Sequence, residues 1–288
     1  MLLSYLFLAL ALAQPQFGTK SESSERPGLD IMVAVDISAS MLAEDIKPNR
    51  LLGAKQAIAS FINRLQGERV GLIAFAGSSV VQCPLITDYA TVHGFLDALP
   101  PRAVSHSGTQ ISEAIRTAVT YFSSEFDEFV EGFQTPEGRN IPSKVLVVFS
   151  DGEDHGADTI NAAVSASERQ IHIFCVGVGS PEGAPIPIRE EQGQLVGYKE
   201  YQGKTLGTRL DDSRLRTLAQ LTDGGYYKVT EMDALFKAIS SLKTRAFEAG
   251  QFAQYENRFQ YFLAPALLFL VLEFLLRRWK ISRSDEAT

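Results

Sequence analysis

Cysteine is almost absent from this chain of 288 residues, which holds only Cys83 and Cys175. Two thiols without metal-type spacing exclude a disulfide framework and a cysteine-based zinc site. Cys175 lies in the apolar run IHIFCVGVG and Cys83 in VVQCPLITD, so both are expected to pack as small hydrophobes. Basic charge is in short supply too. Lys and Arg number 27 against 34 Asp and Glu, a net charge of −7 with both signs dispersed. A nucleic-acid partner would require a basic face to neutralise phosphates, so none is expected. HExxH, GxSxG and P-loop signatures are missing, as is any internal repeat. The one nucleotide-loop candidate, GVGSPEG at Gly177, runs into Pro181 and a long insertion where a phosphate-cradling helix should begin.

What the chain does have is apolar content, 45% of its residues. That suffices for one large core, or for a core plus a membrane anchor. Both ends are informative. Residues 1–13 are nearly all apolar and end in Ala11-Leu12-Ala13, a small-residue pattern before Gln14. They are short for a spanning helix, so residues 1–27 are expected to be a signal peptide or truncated anchor plus a polar linker. At the other end, YFLAPALLFLVLEFLLRRW, 261–279, has the length of one crossing, with Tyr261 and Trp279 where interfacial aromatics belong. Arg277, Arg278, Lys280 and Arg283 follow or close it. The positive-inside rule then places a 280–288 tail in the cytoplasm and the bulk of the protein outside the inner membrane, in the periplasm. Residues 251–260 are expected to form a juxtamembrane helix.

Between the ends, strand-like and helix-like segments alternate. LDIMVAVD, a continuous apolar run, predicts a strand buried on both faces. NRLLGAKQAIASFINRL follows at helical spacing with Asn49 as its cap. ERVGLIAFAG, SSVVQCPLI, KVLVVFSD, IHIFCVGVG and GGYYKVT are further strands, and helices are predicted over 87–99, 107–122, 158–169, 212–222 and 231–247. The prediction is an α/β, Rossmann-like domain over 28–250, with a mostly parallel six-stranded sheet and helices on both faces. SSVVQCPLI, reached through a tight turn, is its short antiparallel edge. The stretch 180–211, rich in Gly and Pro, reads as an inserted β-hairpin leaving the carboxyl end of IHIFCVGVG.

Chemistry concentrates in VAVDISASM. Side chains at every second position of an extended segment share a side, so Asp36, Ser38 and Ser40 can converge just past a strand end, where ligand crevices form in open α/β sheets. Thr109, at the predicted start of a helix, and Asp151, at the end of KVLVVFSD, belong to the same sheet edge. Two carboxylates and three hydroxyls form a hard donor set suited to Mg²⁺, Mn²⁺ or Ca²⁺ rather than zinc or copper. Each residue taken alone is equally an ordinary cap or turn former.

DISAS, the Thr109 loop and SDG at Asp151 resemble the metal-ion-dependent adhesion site of von Willebrand factor type A domains. More narrowly, PGLDIMVAVDISASM, IKPNRL, FSDGEDHG, LTDGGYYKV and the C-terminal apolar run resemble the membrane-anchored bacterial proteins of the aerotolerance (Bat) type. That resemblance implies binding, not catalysis. Ser38, Ser40 and Thr109 would touch the cation directly, Asp36 and Asp151 largely through water, leaving one position for a partner's Glu or Asp carboxylate. It also implies an envelope assembly linked to stress or aerotolerance, with other Bat-type membrane proteins and a MoxR-type AAA+ ATPase as partners. The alternative is a metal-dependent hydrolase on the same carboxylates, with Glu153, Asp154, His106 and His155 as acid–base groups.

Overall fold

The computed structural model describes residues 16–19, 28–100, 109–132, 142–154, 158–190, 194–251, 255–257 and 263–272, together with Tyr5 and Leu12. The chain divides into two compact units, 25–248 and the combined ends 1–24 and 249–288.

The larger unit is built on six strands: β1 (Leu29–Asp36), β2 (Arg69–Phe75), β3 (Ser79–Ile86), β4 (Ser143–Ser150), β5 (Ile171–Gly177) and β6 (Tyr226–Lys228). Their spatial order is β6-β5-β4-β1-β2-β3. All neighbours are parallel except β3, which runs antiparallel to β2 at the edge. Among the described residues, six α-helices accompany the sheet: α1 (Arg50–Ile62), α2 (Tyr89–Ala98), α3 (Ile111–Gly132), α4 (Thr159–Glu168), α5 (Asp212–Leu221) and α6 (Met232–Gln251), whose last residues lie beyond the unit's limit.

The continuous apolar run of β1 is explained by its place. Every one of its residues is buried, because β4 and β2 flank it and helices cover both faces. Ile31, Val33 and Val35 face a core filled by Leu51, Ile58 and Phe61 of α1, Leu96 of α2 and Leu235 of α6. Met32 and Ala34 face the other core, with Ile115 of α3, the alanines 162, 163 and 166 of α4, and Leu218 of α5. Each large aliphatic side chain so buried contributes about 1.5–3 kcal/mol. Cys83 and Cys175 are buried and unpaired, one in each core, as their apolar settings predict.

Helix starts follow local chemistry. Leu52 N donates to Asn49 Oδ1 at 2.8 Å, Ala90 N to Asp88 Oδ1 at 3.1 Å, and Ser213 N to Asp211 Oδ1 at 3.2 Å. Such caps are worth about 1 kcal/mol each. The helix expected from 107 begins only at Ile111, leaving Thr109 and Gln110 outside it, and continues past Phe122 to Gly132.

Three segments differ from the sequence reading. The insert is not one hairpin but three small antiparallel ladders: Ala184–Pro185 with Gly207–Thr208, Pro187–Arg189 with Leu195–Tyr198, and Glu200–Tyr201 with Lys204–Thr205. In the smaller unit, Tyr255–Asn257 is a strand where a juxtamembrane helix is expected, because it pairs with Gln16–Thr19 from the distant N-terminal part of the chain. Of the 261–279 span, residues 263–272 are helical and the remainder lies outside the described residues. Among the described residues no helix is long and apolar enough to cross a membrane.

Candidate metal centre

The chain leaves β1 toward β2 and β3 on one side, then crosses to β4 on the other. The carboxyl ends of β1 and β4 therefore flank a topological switch point, where an open α/β sheet forms its crevice. Asp36 ends β1, and Asp151 directly follows β4.

Asp36 and Ser38 share a side for the reason the spacing predicts, since Ser38 is still extended. Ser40 arrives differently. A 3₁₀ turn over Ala39–Leu42 brings it back, and its Oγ lies 2.9 Å from Ser38 Oγ. Ser38 N donates to Asp36 Oδ1 at 2.9 Å, fixing the carboxylate over the turn. Thr109 is also buried, on a loop held from both sides. Gln110 N donates to Ala76 O just beyond β2 at 2.8 Å, and Ile111 N to Asp154 Oδ1 at 3.2 Å. Asp154 thus ties the Thr109 loop to the Asp151 loop. It also accepts the hydroxyl of Thr159 and pairs with Arg214 at 3.5 Å. Glu153 Oε1 receives Arg209 N at 3.0 Å. The two acids of the hydrolase alternative are therefore engaged in clamping loops, while His106 and His155 lie outside the described residues.

Two participants were not legible in the sequence. Ser150, the last residue of β4, donates its hydroxyl to Asp36 Oδ2 at 2.7 Å and accepts from Gly152 N at 3.1 Å. Arg50, at the start of α1, is wholly buried and donates through Nη1 to Asp151 Oδ2 at 2.9 Å. An Arg next to a capping Asn reads as an exposed helix start; nothing local marks it as buried.

The electrostatics invite a cation. Asp36 and Asp151 have no accessible surface. Burial, then the neighbouring Asp151 charge, pushes Asp36 up to about 7, against hydrogen bonds from Ser38 and Ser150. Burial likewise raises Asp151, opposed by the Ser40 hydroxyl and the Arg50 guanidinium. Two buried acids that hinder each other's ionisation are what a divalent ion relieves. Among the described residues no three His, Cys, Asp or Glu side chains cluster as ligands. The donor set is instead hydroxyl-rich and hard, so it fits Mg²⁺, Mn²⁺ or Ca²⁺ and not a soft metal.

The sheet order is that of a von Willebrand factor type A domain, and the family model of that description matches residues 31–153. An aerotolerance-related membrane protein from Bacteroides fragilis is 32% identical, superposes with a TM-score of 0.64, and is covered over 100% of its length by 76% of this chain. BatB from Bacteroides thetaiotaomicron is 33% identical, with a TM-score of 0.65 and coverage of 75% of this chain and 100% of that one. The chain belongs to the von Willebrand factor type A domain proteins of the Bat, aerotolerance-related type. More distant relatives are UPF0353 proteins. That of Mycolicibacterium paratuberculosis is 27% identical over 223 residues, 74% of this chain, and the chain spans 59% of its length. That of Mycobacterium tuberculosis is 26% identical over 251 residues, covering 84% of this chain and 67% of the relative.

Proposed function

We propose that this chain is a membrane-anchored interaction module whose domain grips partner proteins through a divalent cation. The observation that carries the reading is the pair of fully buried acids, Asp36 and Asp151, at the ends of neighbouring strands, with Ser38 and Ser40 in hydroxyl contact beside Asp36 and the buried Thr109 on a loop tied to Asp154. Ser38, Ser40 and Thr109 would hold the ion directly, with Asp36 and Asp151 acting through water. Mg²⁺ is the expected occupant, with Mn²⁺ or Ca²⁺ also accommodated. When bound, the ion supplies an electrophilic position for a Glu or Asp carboxylate from the partner. Neutral hydroxyls keep that position attractive, because they hold an ion without cancelling its charge. Catalysis is not required. The acidic neighbours Glu153 and Asp154 serve as loop clamps, which favours binding over hydrolysis.

The insert lies beside this mouth, since Asp211 N donates to Asp151 O at 2.9 Å, and it exposes Ile188, Val196, Tyr198 and Tyr201. It would therefore read the partner's identity. Exposed Leu267, Leu268, Leu270 and Val271 on helix 263–272 support an anchor at 261–279, as does the description of the Bacteroides fragilis relative as a membrane protein. The domain would then face the periplasm, the tail the cytoplasm, and the partners would be related Bat-type membrane proteins and a MoxR-type AAA+ ATPase in a stress-related assembly.

The test is crosslinking and recovery of partners from intact cells carrying the full chain. Recovery should fall on chelation with EDTA and with Asp36→Ala, and return with Mg²⁺ for the wild type alone. Recovery indifferent to both would rule the reading out.

A further inference from the structure

Arg50 has no accessible surface, and as a donor-only side chain it holds an acid of the candidate site rather than offering a ligand to it. Nε and Nη2 grip the two oxygens of Asp45, each at 2.8 Å. Nη1 donates to Asp151 Oδ2 at 2.9 Å and to Thr208 Oγ1 at 3.0 Å, and Nη2 also reaches the Thr208 carbonyl at 3.2 Å. Asp45 in turn accepts Ser180 N at 2.7 Å. Gly179, at φ +139°, packs its backbone so closely that a Cβ would stand 2.8 Å from Arg50 Nε. The insert therefore enters past Arg50 at 179–180 and leaves past it at 208. Leu210 N closes this neck on Ser180 O at 3.0 Å.

A buried ion cluster can be stabilising and nothing more. The geometry around Asp151 says otherwise. Its Oδ2 is taken by Arg50, with Thr208 Oγ1 at 3.3 Å, and its Oδ1 by Glu153 N at 3.2 Å. Both oxygens are thus held in register by Arg50, Thr208 and the Glu153 amide. The planar guanidinium is suited to this, because its fork makes five contacts at once, to both oxygens of Asp45, to Asp151 and to two oxygens of Thr208, more than an ammonium's three donors can serve.

Resting on the cation reading above, we propose that Arg50 is a positioning residue for the cation site, and that through it ion occupancy is coupled to the order of the insert's neck. An ion at the mouth fixes Asp151. Asp151 fixes the guanidinium, and the guanidinium fixes Thr208 and, via Asp45, Ser180. The linkage is reciprocal, so clamping the neck strengthens ion binding.

The experiment is hydrogen exchange of the full chain in detergent, with and without Mn²⁺, alongside Mn²⁺ affinity from electron paramagnetic resonance. In the wild type, Mn²⁺ should slow exchange at the amides of Ser180, Leu210 and Asp211 on the order of tenfold. Arg50→Lys keeps the charge and loses the fork. It should bind Mn²⁺ about tenfold more weakly and show less than about a twofold change in the neck at saturation. Thr208→Val, a milder variant that retains the guanidinium, should at least halve the neck's response. A merely structural arginine would lower stability without separating ion binding from that response. Mn²⁺ binding with no change in the neck, or an undiminished change in both variants, overturns the proposal alone. Failure of the wild type to bind Mn²⁺ overturns the cation reading and this proposal together.

Discussion

Ser150 donates its hydroxyl to Asp36 at 2.7 Å across the junction of β4 and β1, and both residues have no accessible surface. The bond holds one acid of the candidate site from the strand that delivers the other. Ser150→Ala removes it and leaves Gly152 N without its acceptor. The expected cost is about 1–3 kcal/mol by chemical denaturation. Mg²⁺ affinity should fall less than in Asp36→Ala. Equal losses would make Ser150 a ligand rather than a support.

The raised Asp36 sets a pH dependence whose sign can be worked out. An unfolded aspartate releases its proton near 3.8, whereas burial holds the folded one to about 7. Between those values the folded state carries the extra proton, so its stability is greatest at the acid end and declines as pH rises toward 7. A divalent ion that binds the ionised pair offsets the decline. Melting curves in EDTA should thus fall from about pH 5 to about pH 8, with the gap to Mg²⁺ widening over the same range. Asp36→Asn should flatten both trends. A gap independent of pH would show that Asp36 does not gate the ion.

Gly152, at φ +79°, occupies the left-handed region, and a Cβ there would stand 1.9 Å from the backbone oxygen of Asp211. That clash is with main chain and cannot be relieved by a rotamer. Gly152→Ala should cost at least about 2 kcal/mol, combining αL strain with a displaced loop. Gly67→Ala also meets a positive φ, +92°, but has open space around it. It should cost only about 1 kcal/mol. Comparable losses in denaturant midpoint would contradict the contact.

How much of this was readable before any coordinates depends on how far each partner is in sequence. The apolar run of β1 declares a strand covered on both faces because its covering is generic. Asn49, Asp88 and Asp211 declare helix starts because their bonds are local. Asp36, Ser38 and Asp151 follow from strand ends and sheet topology, and Ser40 only with the help of a 3₁₀ turn that alternation does not foresee. Arg50 lies beyond local reading: its partners Asp45, Asp151 and Thr208 are 5, 101 and 158 residues away. The strand Tyr255–Asn257 was missed for the same reason, since only pairing with Gln16–Thr19 makes it one.

The buried cysteines provide both a prediction and a tool. Cys83 and Cys175 have no accessible surface, and burial pushes the Cys175 thiol up to about 12. The reactive thiolate is then scarce and shielded. The native chain should take up essentially no maleimide at neutral pH, and two equivalents once denatured. Labelling of the native protein would mean that one of the two cores opens.

That silence lets topology be read without first removing native thiols. Arg277, Arg278, Lys280 and Arg283 cluster at the C-terminal end of 261–279, which argues for a cytoplasmic tail and a domain on the other side. Lys204→Cys, exposed beside the turn that joins Glu200–Tyr201 to Lys204–Thr205 in the insert, should react with a membrane-impermeant maleimide in intact spheroplasts. Ser284→Cys should react only after permeabilisation. Should both label equally in intact spheroplasts, 261–279 does not cross. Should only Ser284→Cys label, the domain faces the cytoplasm and the search for its partners moves there.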